Sequence, residues 1–239
     1  MQAVAQALSA LKSSLCQSVD LGSLFSRNAI AHKWKAPFRS LTLREGVAWR
    51  TQDLLAQSLA LHESENGLGA RILLRSAFES VAVLIYLNML TRQVLAGTLD
   101  FHEYSRKTST FLLGSRDKST DHVAINIVTV LQKCDARYPG IEELYAALSE
   151  SAHPNYEGVC VGYSKVDHKN FVNTFSNRWQ AVYGENHVDS IVLCLMVFQS
   201  EYNDEWADSF SKLESWIVEN DAILEATKGE GVSQVTPHK

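Results

Sequence analysis

The stretch that decides the fold is Gly69-Ala70-Arg71-Ile72-Leu73-Leu74-Arg75-Ser76-Ala77-Phe78-Glu79, which continues into Ser80-Val81-Ala82-Val83-Leu84-Ile85-Tyr86-Leu87. An apolar segment of this length predicts a core helix. Arg71, Arg75 and Glu79 recur every four residues, so they lie along one stripe of that helix. Because burying an unpaired ion is costly, these charges need partners. The stripe is therefore either a structural ion-pair network or the floor of a polar site.

The composition is that of a folded protein, with 46% apolar and 21% charged residues in a chain of 239. A net charge of −5 argues against a broad nucleic-acid or membrane-surface footprint, although a small basic pocket is compatible with it. Four cysteines without a C-x-x-C pair predict reduced thiols in a cytoplasmic protein. The N-terminus lacks the features of a secretory signal, and no uncharged apolar run reaches the roughly 20 residues that cross a bilayer. We therefore expect no membrane partner.

Apolar spacing and a proline-free interval from Phe38 to Tyr138 predict a succession of helices. The pattern Thr42-Leu43-Arg44-Glu45 matches a capping box, which predicts a helix beginning there and ending near Asn66-Gly67. The other predicted helices are 4–15, the Arg71 helix to about 97, 101–113, 123–136, 141–151, 187–201 and 204–227, and a shorter helical turn is predicted at 21–32. We predict an all-α, single-domain helical bundle over 1–227, with about seven to eight helices. A small hairpin or irregular segment is expected around 155–183, and residues 228–239 are expected to form a disordered tail.

The arginine stripe is the first candidate for chemistry. Arg75 could hold a phosphate or a charged transition state while Glu79 fixes its rotamer. Arg71, one turn earlier, and Arg50, on the preceding helix, would widen such a site. The alternative is that Arg75 and Glu79 form an ion pair that only ties neighbouring helices together.

The second candidate is His153, in Ser151-Ala152-His153-Pro154-Asn155-Tyr156. The residue before a proline avoids helical geometry, so a helix is expected to end here and irregular backbone to begin. Such a junction can present an imidazole to a cleft, where it could act as a general acid or base. A surface or capping role is the alternative. The candidate catalytic residues are Arg75, Glu79 and His153, and the candidate substrate-binding residues are Arg71, Arg50, Asn155 and Tyr156.

A third candidate is the stretch Arg27-Asn28-Ala29-Ile30-Ala31-His32. It matches the R-N-x-x-x-H pattern of HEPN ribonucleases. The resemblance implies metal-independent RNA cleavage in a dimer, with the arginine and histidine acting at the scissile phosphate. Arg27, Asn28 and His32 are therefore the alternative catalytic set. In that family the motif usually follows a helical hairpin, whereas only one predicted helix precedes it here.

Three further elements carry a broader resemblance: Leu59-Ala60-Leu61-His62-Glu63, the Arg71 to Glu79 stretch, and Leu148-Ser149-Glu150-Ser151-Ala152-His153-Pro154. Together they resemble a set of uncharacterised bacterial helical proteins that are similar to HEPN-like and abortive-infection domains. The resemblance implies a helical bundle, a homodimer, and proximity of the arginine, glutamate and histidine. It brings no settled activity.

The leading functional hypothesis is a HEPN-like protein of bacterial defence or stress response that acts on RNA. Neither a metal nor a cofactor is expected, because the chain has no H-E-x-x-H motif, no cysteine cluster and no glycine-rich phosphate loop. One competing hypothesis is a non-catalytic interaction module whose buried charges only specify the fold. Another is a small-ligand or nucleotide sensor that uses the loop after His153.

Overall fold

The computed structural model describes residues 1–229, and these residues are predominantly helical. Within them there are eleven α-helices, two π-helical segments (Tyr156–Val161 and Ser200–Glu205) and one antiparallel pair of strands, β1 (Ser164–Asp167) and β2 (Val172–Phe175). The helices are α1 (Gln2–Ser14), α2 (Leu21–Arg27), α3 (Ala29–His32), α4 (Lys35–Glu63), α5 (Gly67–Leu95), α6 (Phe101–Leu113), α7 (Ile127–Asp135), α8 (Ile141–Ala152), α9 (Trp179–Tyr183), α10 (His187–Gln199) and α11 (Trp206–Ala226). The predicted all-α class is confirmed. The predicted tail lies outside the described residues from residue 230 onward.

The chain divides into two compact units. The first consists of residues 1–15, 47–83 and 127–199, and the second, within the described range, of residues 16–46, 84–126 and 200–229. The long helices α4 and α5 contribute residues to both units. In the first unit the fully buried side chains of Leu74, Phe78, Leu131 and Ile191 come from α5, α7 and α10 and form its core.

The long helix α5 was predicted correctly, whereas the predicted start of α4 was wrong. The helix α4 begins at Lys35, so that Pro37 falls in its first turn, where a proline removes no intrahelical hydrogen bond. Thr42 lies inside the helix and its hydroxyl donates to the carbonyl of Phe38. Glu45 accepts a hydrogen bond from the Tyr202 hydroxyl at 2.7 Å instead of closing a capping box.

The segment from 155 to 183, for which a small hairpin or irregular backbone was expected, contains a hairpin preceded by a π-helical turn. The side chain of Asn155 accepts from the backbone N–H of Gly158 at 2.9 Å and starts that turn. In the hairpin Ser164 lies opposite Phe175 and Val166 lies opposite Asn173. Trp179 was expected in irregular backbone; it begins α9 and is fully buried.

Among the described residues, α5 is the one helix long and apolar enough to cross a membrane. In its most apolar window 61% is buried inside the protein. The core helix of a soluble protein has the same length and composition.

Candidate functional site

Arg71 on α5 is held by the last two turns of α8. Its Nε donates to the Ser151 hydroxyl at 2.7 Å, and its Nη2 donates to the carbonyl of Ala147 at 3.1 Å. The guanidinium also lies over the ring of Tyr183, 4.1 Å from its centroid. The nearest carboxylate is that of Glu157, whose Oε1 is 3.7 Å from Nη2 and accepts from Ser151 at 2.7 Å.

Arg75, one turn further along α5, is held in the same manner. Its Nε donates to the Ser149 hydroxyl at 2.9 Å, and its Nη2 donates to the Tyr145 hydroxyl at 2.7 Å. Oε1 of Glu79 lies 3.2 Å from the same Nη2 and accepts from Tyr145 at 2.9 Å. Arg75, Tyr145 and Glu79 therefore form a closed triangle of polar contacts.

The two arginines are hydrogen-bonded through the same guanidinium nitrogens. In each, Nε and Nη2 are bonded to α8 or its flanking residues, while within residues 1–229 no partner contacts Nη1. The side chains are 12% exposed for Arg71 and 26% exposed for Arg75, so neither is sealed from solvent. Burial lowers the pKa of Arg71 from its ordinary value, and the charge of Glu157 opposes that shift. Each guanidinium is thus held in one orientation, and its Nη1 amino group remains available for a further hydrogen bond.

Arg50 on α4 also reaches this face of α5. Its Nε donates to the Ser80 hydroxyl at 3.1 Å, and Ser80 directly follows Glu79. The rest of the Arg50 side chain is exposed. Arg50 on α4 therefore contacts α5 at Ser80, while the described residues show no polar contact between Arg50 and Arg75 or Glu79.

His153 is the residue that ends α8, and its side chain is exposed. It follows Ser151, the partner of Arg71, by two residues. In the described part of the chain its imidazole has no hydrogen-bond partner. Asn155 and Tyr156 are the candidate substrate-binding residues that follow His153. Asn155 caps the π-helical turn, and Tyr156 is exposed. His153 therefore lies at the end of the same helix whose last residues hold Arg71.

Sequence reasoning missed the residues that position the arginines. These are Tyr145, Ser149, Ser151, Glu157 and Tyr183. A partial signal was present, because Tyr145 and Ser149 are spaced four residues apart and lie on one face of α8. Ser149 and Ser151 also belong to the quoted element from Leu148 to Pro154, which contains His153.

A buried histidine pair lies beside Arg71. The rings of His62 and His187 stack with their centroids 4.9 Å apart. The Ser58 hydroxyl donates to the carbonyl of Ala70 at 2.8 Å, so it accepts from Nε2 of His187 at 2.9 Å. Burial, together with the charges of His62 and Arg71, lowers the pKa of His187 to about 4. His187 is therefore neutral at pH 7.

A cavity of about 170 Å³ lies beside Arg71 and His187. Arg71, Tyr183 and His187 line its polar side, and its apolar lining includes Leu74 and Leu148. Room of this size is enough for several water molecules or one small ligand.

The alternative catalytic set forms a second cluster, in the other unit. Oε1 of Glu214 on α11 accepts from His32 at 2.7 Å and forms an ion pair with Arg27. Nη2 of Arg27 lies 3.5 Å from Nε2 of His32. Arg27 is exposed, whereas the side chain of His32 is only 3% exposed and its Nδ1 is buried without a partner. Asn28 caps α3 by accepting from the N–H of Ala31 at 3.0 Å, so it does not take part in the cluster.

Neither cluster is accompanied by a grouping of metal-ligating side chains. Within the described range 1–229, no three histidine, cysteine, aspartate or glutamate side chains converge as a metal site would require. Comparison of the chain with protein-family models, curated proteins and solved structures gives no match.

Proposed function

We propose that this protein is a HEPN-like ribonuclease that cleaves RNA without a metal ion. The proposal extends to a cytoplasmic homodimer acting in bacterial defence or stress response. The observation that carries it is the fixed pair Arg71 and Arg75. Each guanidinium is anchored by two of its nitrogens and keeps Nη1 free, beside the helix that ends in an exposed histidine.

A preorganised arginine suits phosphate binding for a physical reason. Phosphate oxygens form strong, charge-assisted hydrogen bonds with guanidinium groups, and an arginine already held in place loses little rotamer entropy on binding. Ser149 and Ser151 hold the two arginines through Nε, and Glu79 and Tyr145 orient Arg75 further. Such fixed charges stabilise the negative charge that grows on phosphate oxygens during cleavage.

In the proposed reaction His153 acts as the general base. Its imidazole takes the proton of a ribose 2′-hydroxyl, the 2′-oxygen attacks the phosphorus atom, and the 5′-oxygen of the next nucleotide leaves with a proton from solvent. The products are a 2′,3′-cyclic phosphate and a 5′-hydroxyl end. Arg75 binds a non-bridging oxygen of the phosphate, and Arg71 and Arg50 contact neighbouring phosphates.

The proposal is tested by incubating single-stranded RNA with the protein in excess chelator and identifying the ends of the products. We expect cyclic-phosphate ends, no cleavage of the 2′-deoxy oligonucleotide, and at least a roughly 100-fold loss of rate in His153→Ala. Arg75→Gln should lose a similar factor. The control is His122→Ala, which removes a histidine from a loop outside the site. An RNA that stays intact with the wild-type protein would refute the proposal.

The Arg27, His32 and Glu214 cluster supports a second location for the same chemistry. The specific observation is that the two motif side chains converge on a single carboxylate oxygen. The near-complete burial of His32 weighs against it, because a general base must reach the ribose hydroxyl. Loss of cleavage in His32→Ala, with full activity in His153→Ala, would move the active site to this cluster.

The closed triangle of Arg75, Tyr145 and Glu79 favours the competing hypothesis of a non-catalytic interaction module. That hypothesis expects wild type and all three variants to be equally inactive on RNA. The same assay therefore separates the two hypotheses.

A further inference from the structure

The β-hairpin that follows His153 exposes two phenylalanine rings. Phe171, just before β2, is 94% exposed, and Phe175, at the end of β2, is 78% exposed. Rings left in water forgo the stabilisation that burial of an aromatic side chain brings. The folded state therefore gains little from having phenylalanine at either position.

The backbone of Phe171 adds a second cost. Its φ is +55°, in the left-handed region that a bulky residue rarely adopts and that glycine or asparagine adopts far more readily. A strained residue whose side chain is not packed indicates a role in recognition. Folding alone would favour glycine here.

The hairpin carries two lysines and one acid, so its net charge is positive. Lys165 and Lys169 are exposed, and among the described residues neither has an ion-pair partner. The carboxylate of Asp167, the one acid of the hairpin, accepts hydrogen bonds from amide groups of the turn. Its Oδ1 accepts from the N–H groups of Lys169 and Asn170 at 2.9 and 3.1 Å, and its Oδ2 accepts from Asn170 Nδ2 at 2.8 Å.

We propose that this hairpin is a stacking platform for the unpaired bases of single-stranded RNA, a proposal that rests on the ribonuclease function proposed above. Phe171 and Phe175 stack with bases, and Lys169, in the turn that precedes Phe171, binds a phosphate next to them. Lys165 pairs with Thr174 and lies on the other face of the hairpin from Phe175, so it adds only to the local positive charge. Aromatic rings combined with cations bind single strands with little sequence preference, because every base has a π face. A second copy of this chain fits the surface less well, since it would bring the same unpaired lysines together.

Binding of single-stranded RNA to the hairpin is measured by fluorescence anisotropy with a labelled, uncleavable 2′-O-methyl oligouridine of about ten nucleotides. Phe175→Ala and Phe175→Leu should each weaken binding about tenfold, whereas Phe175→Trp should bind at least as tightly as wild type. Leucine is the matched control, since it keeps the apolar surface but lacks a π face. Binding by Phe175→Leu equal to that of wild type would overturn the stacking proposal.

Phe171→Gly separates recognition from stability. Glycine accepts a φ of +55° without strain, so the variant should unfold at the same or a higher urea concentration than wild type. Its affinity for the oligonucleotide should nevertheless fall about tenfold. Unchanged affinity in Phe171→Gly would contradict the proposal, as would a shift from dimer to monomer in both phenylalanine variants with no change in anisotropy.

The two proposals fail in different ways. Oligonucleotide binding by wild type without cleavage would remove the ribonuclease function and leave the platform in place. Cleavage whose KM is the same in wild type, Phe171→Gly and Phe175→Leu would remove the platform and leave the ribonuclease in place. A raised KM with an unchanged kcat in both variants supports the platform.

Discussion

Lowering the pH should destabilise the protein through one buried side chain, His187. Burial beside His62 and Arg71 lowers the pKa of His187 from 6.5 to about 4. The folded state therefore disfavours the protonated imidazole more than the unfolded state does. The resulting stabilisation is fully present above about pH 6.5 and is lost as the pH falls towards 4.

The size of this effect follows from the difference between the folded and unfolded pKa values. A tenfold difference in proton affinity corresponds to about 1.4 kcal/mol, so the folded protein should lose about 3 kcal/mol from this one group between pH 7 and pH 4. Carboxylates also titrate in part of this range, so a variant is needed to isolate the histidine. His187→Gln keeps a donor that can reach Ser58 and removes the titration.

The assay is urea unfolding followed by far-UV circular dichroism at several pH values between 7 and 4. His187→Gln should be less stable than wild type at pH 7, because it loses the stacking on His62, but its stability should fall about 3 kcal/mol less on acidification. The matched control, His168→Gln, changes an exposed histidine of the hairpin and should keep the wild-type pH dependence. Identical pH dependence in His187→Gln and wild type would refute this reasoning.

Three further substitutions test local contacts and helix geometry by urea unfolding. Tyr145→Phe removes the hydroxyl that donates to Glu79 and accepts from Arg75, so the free energy of unfolding should fall by about 1–2 kcal/mol; no change would mean that the triangle is not formed in solution. Gly162→Ala places a Cβ 2.4 Å from the Trp179 ring and should cost about 2 kcal/mol, and a neutral outcome would show that the buried tryptophan can move. Gly46→Ala, in the interior of α4 with nothing within 4 Å of the new Cβ, should instead stabilise by about 0.5–1 kcal/mol, and a loss of stability would contradict the helix there.

Helices whose signals are local could be predicted from the sequence. The bounds 101–113 were correct because Asp100 caps the first turn of α6 and an amphipathic pattern fills the rest. The start of α4 was wrong for a local reason as well. The capping pattern at Thr42 predicted a helix start, but it occurs within a helix whose first turn accommodates Pro37.

The stripe of charges on α5 could be predicted from the sequence, but its contact partners could not, because they are far away along the chain. The four-residue spacing of Arg71, Arg75 and Glu79 predicted one stripe, because helical periodicity alone determines it. The partners of that stripe on α8 lie about 70 to 80 residues away, so no local pattern identifies Ser149 or Ser151 as their acceptors. The same holds for Glu214, which is separated from Arg27 by 187 residues.

The phosphate-binding claim at the arginine stripe can be tested most directly by nuclear magnetic resonance on histidine-labelled protein during a titration with inorganic phosphate. The account predicts that the His153 imidazole signals shift and saturate as phosphate is added. It also predicts that Arg75→Gln abolishes the shift while the fold is retained. Signals of His153 that do not move with phosphate, or that move equally in Arg75→Gln, would contradict a shared site.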